Sequence, residues 1–255
     1  MRFEGKIVAV TGAASGIGEA IAIGFAKEGA SVAFMDINEH KVKELSESAN
    51  GSNNIGIGVD VSDKNSVEKA FNEIEQKYGK LDVFVNCAGI SIIVPMLECT
   101  EEIWDKTIDI NLKGTFLCMQ SVVKIMNKQK SGSIICMSSQ SGKVGGGAYQ
   151  AYCASKFGVI GIVQSAAVEF AKDGIRINAV CPGVVLTPMW DKQVVSYAKK
   201  RSIKPEEVMP YFESKIPMGR IGTLDEVVNT TFFLASDESS YFTGQSLNVA
   251  GGQIM

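Results

Sequence analysis

The stretch KIVAVTGAASGIG, residues 6–18, decides the fold. Its first half is a short apolar run rich in valine and isoleucine. Its second half sets Gly12, Gly16 and Gly18 in a turn that opens a helical pattern from about Ser15 to Glu28. A strand ending in such glycines lets backbone N–H groups and the positive helix N-terminus approach a pyrophosphate closely. The spacing is G-x-x-x-G-x-G rather than the G-x-G-x-x-G fingerprint, so plain turn chemistry is a second reading of the loop alone. The next strand narrows the choice. SVAFMDI (31–37) ends on Asp36, 18 residues past Gly18. A carboxylate there accepts hydrogen bonds from an adenosine ribose diol and repels a 2′-phosphate. Ser15 brings no compensating positive charge, so both positions favour NAD(H) over NADP(H); the plainer reading of Asp36 is a strand-end cap.

Outward from this unit, short apolar runs alternate with longer helical patterns. A charged helix passes through EHKVKELSES, and NIGIGVDV (54–61) precedes KNSVEKAFNEIEQKYG. LDVFVNCAG (81–89) ends in a glycine turn, and a long helical region spans 101–128. GSIICMSS (132–139) precedes a helix over about 149–172, and IRINAVCPG and QSLNVAGG complete the set. About seven continuously apolar strands predict a parallel sheet covered on both faces, and right-handed crossovers make it a doubly wound α/β fold. No repeat or low-complexity linker divides the 255 residues, which predicts a single domain over 1–255. One stretch, 187–220, breaks the rhythm: it is charged and carries Pro188, Pro205, Pro210 and Pro217. An insertion of that length is usually functional, and a substrate lid is expected.

Composition removes several functions. With 45% hydrophobic and 21% charged residues the chain can bury a sizeable core. Its net charge of −3 provides no basic field for nucleic acid or a membrane surface. Six scattered cysteines form no CxxC pair and His40 is the lone histidine, so no metal site is expected. Unpaired thiols of this kind fit a reduced, cytoplasmic protein. Uninterrupted apolar runs fall short of the ~18 residues of a membrane span.

A second informative stretch is GGGAYQAYCASKFG (145–158). On a helix, residues four apart share a face, which pairs Tyr152 with Lys156 and Tyr149 with Cys153. An ammonium beside a phenol favours the phenolate, so Tyr152 is the candidate base for an alcohol proton and, neutral, the donor to a carbonyl. Ser139, ending the preceding strand, can bond the same oxygen and stabilise a developing alkoxide. Tyr149 and Gln140 are candidates for contact with the substrate, and Trp190 can close over it; helix-start packing is the alternative for Tyr149.

Taken together, these motifs resemble the short-chain dehydrogenase/reductase family, end to end. TGAASGIG matches the family's T-G-x-x-x-G-x-G loop, and NCAG (86–89) is similar to its N-N-A-G turn with Cys87 in place of asparagine. Y-C-A-S-K matches Y-x-x-x-K, Ser139 lies 13 residues before Tyr152, and CPG with Thr187 resembles the P-G-x-x-x-T segment. The resemblance implies a Rossmann-type sheet and a nicotinamide cofactor, NAD by the reading of Asp36. It implies Tyr152 as acid/base, Lys156 as the group that lowers its pKa and holds the ribose, Ser139 as the orienting hydroxyl, and Asn111 as a catalytic member of the proton relay. Gly12, Ser15, Gly16, Ile17 and Gly18 would hold the pyrophosphate, and Asp36 with Ile37 the ribose. Asp60 and Val61 would bracket the adenine, and Asn86, Ala88 and Gly89 would line the adenosine side. Pro182, Gly183, Val185 and Thr187 would lie beside the nicotinamide. The expected reaction is hydride transfer at a secondary alcohol of a small polyol, sugar alcohol or vicinal hydroxy-ketone. The alternatives are a 3-oxoacyl thioester reductase or a non-catalytic NAD-binding sensor. A homotetramer is implied, with helices around 101–128 and 149–172 at an interface.

Overall fold

The computed structural model describes residues 1–51 and 53–255. Seven parallel strands form one sheet in the order β3-β2-β1-β4-β5-β6-β7. They are β1 (Ile7–Thr11), β2 (Ser31–Asp36), β3 (Ile55–Gly58), β4 (Val83–Asn86), β5 (Gly132–Met137), β6 (Ile175–Pro182) and β7 (Ser246–Val249). The helices are α1 (Gly16–Lys27), α2 (Glu39–Ser48), α3 (Lys64–Tyr78), α4 (Glu101–Ile108), α5 (Gly114–Gln129), α6 (Gln150–Phe170), α7 (Pro188–Arg201), α8 (Val208–Glu213) and α9 (Leu224–Ala235). This is the doubly wound α/β architecture.

Strand alternation assigns the two cores. Ala9, Ala33, Phe84, Ile134 and Ile177 face α3, α5 and α6, where Phe71, Ile74, Val122, Met126 and Val163 are buried. Val8, Val10, Phe34, Val85 and Ile135 face the other way, onto Ile21 and Phe25 of α1, Val42 of α2 and Phe232 of α9. Because both strand faces are covered, the sequence reads as continuous apolar runs instead of alternation. The order reverses at β1, which pairs with β2 on one side and β4 on the other. At such a switch point the loops leaving the strands diverge and open a crevice at their carboxyl ends.

Three local features differ from the sequence reading. The helical region at 101–128 is two helices, α4 and α5, joined by a π-helical turn over Asp109–Lys113. The stretch at 187–220 is largely helical, and Val184, Tyr197, Ala198, Val208 and Phe212 give it a small core of its own. Helix α9 was absent from that reading, although Thr223 and Glu226 form a reciprocal capping box at its start, a signal legible in sequence. In addition, Gln150–Asp173, at a mean hydropathy of 1.3, is long and apolar enough by composition to cross a membrane. Its interruptions are few, and Val159, Val163 and Ala167 pack into the core.

Helix α9 is fixed at its end by Arg176 of β6. The guanidinium donates to the carbonyl oxygens of Leu234 (2.9 Å), Ser236 (3.1 Å) and Ser239 (3.1 Å) and to the Ser239 hydroxyl (2.7 Å). Leu234 is in the last turn of α9 and Ser236 and Ser239 lie just beyond it, where carbonyls lack intrahelical N–H donors. Arg176→Met is expected to lower stability by about 1.5–3 kcal/mol, the range for bonds to charged groups, measured by urea unfolding. An unchanged midpoint would contradict the clasp.

Candidate active site

The crevice at the carboxyl ends of the strands is a cavity of about 600 Å³. Its floor begins with the glycine loop. Gly12 and Gly16 have φ of +70° and +61°, a left-handed region that side chains rarely adopt. A Cβ on Gly18 would run into the Gly12 carbonyl, and one on Gly12 would stand 2.8 Å from the Ala88 nitrogen. Ser15 occupies the N-cap of α1 without a side-chain capping bond, which leaves first-turn N–H groups for an anion. Ile17 lines the same floor.

Asp36 lines the cavity together with Ile37, Asp60 and Val61. Its carboxylate accepts from the N–H of Ala14 (3.2 Å) and of Asn38 (3.0 Å). Asp36 is therefore a strand-end cap and a cavity residue at once, and two carboxylate oxygens keep acceptor capacity for a diol. Asp60 accepts from the Ser62 N–H and hydroxyl at 2.9 and 2.6 Å, which fixes the rim where Val59 also contributes.

Two expected site residues do not reach the cavity. Asn86 is buried behind its wall, accepting from the Thr11 hydroxyl (3.0 Å) and donating to Thr115 Oγ1 (2.8 Å). On β4 it shares a face with Phe84, toward α5, so Ala88 and Gly89 line the cavity and Asn86 supports them. Asn111 is wholly buried in the π-helical turn. Its amide accepts from Ile90 N–H and donates to Ile90 O, both at 2.8 Å, and donates to Ser155 Oγ at 3.1 Å. With its side-chain partners supplied by Ile90 and Ser155, Asn111 ties the wall to α6 and does not itself line the cavity.

Tyr152, Ser139 and Lys156 do meet in the cavity. Ser139 follows β5 and its Oγ accepts from Ser141 N–H at 3.1 Å. Lys156 is buried, and its Nζ donates to Met137 O at 2.8 Å while lying 5.8 Å from the Tyr152 ring centre. Burial pushes the ammonium down to about 8. The Tyr152 phenol stands above its ordinary value because burial outweighs the hydrogen bond from Ser139. The Lys156 ammonium, donating to the Met137 carbonyl and 5.8 Å from the Tyr152 ring centre, does not offset that burial in this arrangement. Burial also raises the nearby Cys87 and Cys136 thiols to about 12, so neither is a nucleophile.

The far wall carries Pro182, Gly183, Val185 and Thr187, and a Cβ on Gly16 would lie 3.4 Å from that of Thr187. Toward the mouth, Gln140, Tyr149 and Trp190 complete the lining. The Tyr149 ring is 6.1 Å from that of Tyr152, and Trp190 packs edge-on against Phe212 at 5.1 Å. Gln140 Oε1 is buried with no hydrogen-bond partner among the described residues. Sequence reasoning missed Ile90, Ser91, Gln193, Lys200, Arg201 and Gln253, which also line the cavity. On α7, positions 190, 193, 197 and 200–201 recur at helical spacing, and that periodicity was the available signal. The free first-turn amides, the glycine cradle and the Asp36 oxygens fit a nicotinamide dinucleotide lying from Asp36 to Thr187.

The class this geometry defines is borne by relatives. A family model described as enoyl-(acyl carrier protein) reductase matches residues 12–253. The chain belongs to the short-chain dehydrogenase/reductase family, and it is an oxidoreductase of the kind that binds a nicotinamide cofactor. It is 42% identical to the 3-oxoacyl-(acyl-carrier-protein) reductase FabG of Thermotoga maritima, covering 100% of both chains. It is 38% identical to the NAD-dependent glycerol dehydrogenase of Listeria innocua, over 97% of this chain and 93% of that one. The crystal structure of sorbitol-6-phosphate 2-dehydrogenase from Erwinia amylovora superposes with a TM-score of 0.94 at 35% identity, over 98% of this chain and 99% of that one.

The depressed Lys156 has a thermodynamic consequence. Below pH about 8 both folded and unfolded chains hold its proton, and the folded chain bears the full desolvation cost; that cost fades as pH rises from about 8 toward 10.5. Lys156→Met is therefore expected to raise the melting temperature of the cofactor-free protein at pH 7 by about 2–4 °C or more, and to raise it less at pH 10. A lower melting temperature at pH 7 would refute a net cost.

Proposed function

We propose that the protein is an NAD(H)-dependent dehydrogenase that interconverts a secondary alcohol and a ketone on a small polyol or vicinal hydroxy-ketone. The observation that carries this reading is the meeting of Tyr152, Ser139 and Lys156 at the middle of a cavity whose other end is Asp36. The nicotinamide, when bound, supplies or accepts the hydride. Tyr152 takes the alcohol proton in oxidation and returns it to the carbonyl oxygen in reduction. Ser139 donates a fixed hydrogen bond to the same oxygen, where negative charge develops. Lys156 has ammonium protons to spare beyond Met137 O for a ribose hydroxyl. Its positive charge also favours the Tyr152 phenolate once a ligand displaces water from the cavity.

Support for the substrate class comes from Gln140. Its buried, unpartnered Oε1 suits a donating hydroxyl next to the reacting carbon, because an acceptor left unpaired in the interior is costly. The Tyr149 ring, whose phenol burial pushes well up, offers a neutral donor nearby. For the cofactor, the Asp36 carboxylate disfavours a 2′-phosphate. A second reading, 3-oxoacyl thioester reduction, draws on the 42% identity to a FabG protein. A non-catalytic NAD-binding sensor would not need the Ser139–Tyr152–Lys156 set.

Tyr152→Phe is expected to reduce turnover by about 10³-fold or more, with NADH binding largely kept. Steady-state rates with sugar alcohols, acyloins, hydroxysteroids and acyl thioesters, each with NAD(H) and NADP(H), test the reading. Activity confined to thioesters or steroids, or a strict NADPH preference, would sink it. The homotetramer belongs to the same proposal and is supported by Phe116 of α5 and Phe157 and Val168 of α6, which are large apolar side chains left exposed. Positions 157 and 168 fall on one helical stripe. Sedimentation of the wild type is expected to give a tetramer, and Phe157→Glu a smaller species. The cytoplasmic location proposed is supported by six cysteines that are all free.

A further inference from the structure

The two ends of the cavity differ in charge. Asp36 and Asp60 are the carboxylates that line it, both at the adenosine end. The opposite end, beyond Tyr149, is lined by Lys200 and Arg201 from the last turn of α7. Lys200 Nζ stands 4.6 Å from the Tyr149 ring centre and 5.4 Å from that of Tyr197. The Arg201 guanidinium lies 5.2 Å from the Tyr211 ring and 5.9 Å from the Tyr197 ring. Neither cation has a carboxylate partner within ion-pair distance among the described residues.

A plainer account is that basic residues in a last turn complement the helix dipole. That account covers Lys199, which is exposed and does not line the cavity. It does not require Lys200 to turn inward, where it stands over the Tyr149 and Tyr197 rings and its ammonium is disfavoured by burial and by Arg201 beside it. Two like charges held together over aromatic rings, with no counter-ion, form a receptor for an anion: a fork of planar donors and a point charge on one side of the same mouth.

We infer that the substrate of the reaction carries an anionic group, a phosphate monoester or a carboxylate, at the end remote from the reacting carbon, and that Lys200 and Arg201 bind it. The span agrees. Tyr149 separates Lys200 from Tyr152, with ring centres 6.1 Å apart on one side and the ammonium 4.6 Å away on the other. A chain of roughly four to six carbons, lengthened by its terminal phosphate or carboxylate and by a hydrogen bond at each end, covers such a distance. Gln140 and Tyr149 then face the middle of that chain, and Lys200 and Arg201 its far end. The inference extends the reading of the reaction as alcohol–ketone interconversion, but the anion site itself stands on the cation pair alone.

The test separates the two. Matched pairs are compared on the NAD(H)-loaded protein: a four- to six-carbon polyol against its terminal phosphate monoester, and against the corresponding sugar acid. Kinetics are accompanied by calorimetric binding of each compound, which needs no turnover. The wild type is expected to favour at least one anionic member over the neutral polyol by about 10- to 100-fold in kcat/KM, mainly through KM. In Lys200→Gln/Arg201→Gln that ratio is expected to fall to near 1, and Lys200→Arg to keep most of it. Which anion is preferred distinguishes phosphate from carboxylate. Equal affinity for neutral and anionic members in the wild type, or an unchanged ratio in the double variant, overturns the inference while leaving the dehydrogenase reading intact. Anion binding that depends on Lys200 and Arg201 without turnover of any member upholds the site and defeats the reaction. Both variants alter partly or fully exposed side chains, and a melting curve checks that they fold.

Discussion

The site depends on one hydroxyl, that of Thr11, at the last residue of β1. It donates to Asn86 Oδ1 at 3.0 Å and accepts from the N–H groups of Cys87 and Ala88 at 3.2 and 3.3 Å. The chain continues from Asn86 to Thr115 and from Thr115 to the Asn111 carbonyl. Through these bonds the turn after β4 is pulled against the glycine loop so closely that Gly12 has no room for a Cβ. A buried polar chain of this kind is stable only when every member is paired, and here each has its partner. The cavity wall is thus placed by groups that never face the cavity.

A rigid wall matters because the chemistry at its centre is costly to bury. Lys156 loses its water shell, and one protein carbonyl, that of Met137, accepts from it at 2.8 Å. Tyr152 likewise resists ionisation where it stands. Both groups are held in states that water would relax, and a site of low dielectric makes their mutual electrostatics stronger once a ligand completes it. The fold tolerates this because the two apolar layers on either side of the sheet carry the stability.

Helix α7 solves a different problem. The segment from 187 to 220 has its own small core, built on Tyr197, Val208 and Phe212, so it holds its shape without joining the sheet. Trp190, Gln193, Tyr197 and Lys200 therefore present one face to the mouth of the cavity. The C-terminal residues Gln253 and Ile254 line the same cavity from within the chain.

Much of this was determined by the sequence alone. Glycine at 12, 16 and 18, the carboxylate at 36, the tyrosine and lysine four apart and the alternation of apolar runs all follow from local steric and periodic rules. Those rules sufficed for the doubly wound sheet, its strand positions and the residues that would converge at the switch point. Tertiary structure decided what local rules do not reach. Whether a buried asparagine faces a cavity or the helix behind it depends on which side of β4 it occupies, and that put Asn86 in the wall; Asn111, in the π-helical turn, is held there by its bonds to Ile90 and Ser155. Where the Lys156 ammonium is held depends on a carbonyl at the end of β5, 19 residues earlier in the chain. The charge at the far end of the cavity came from a helix whose inward face is set by packing against Val184 and Phe212. Spacing along a chain specifies which groups share a face, but only packing specifies what that face meets.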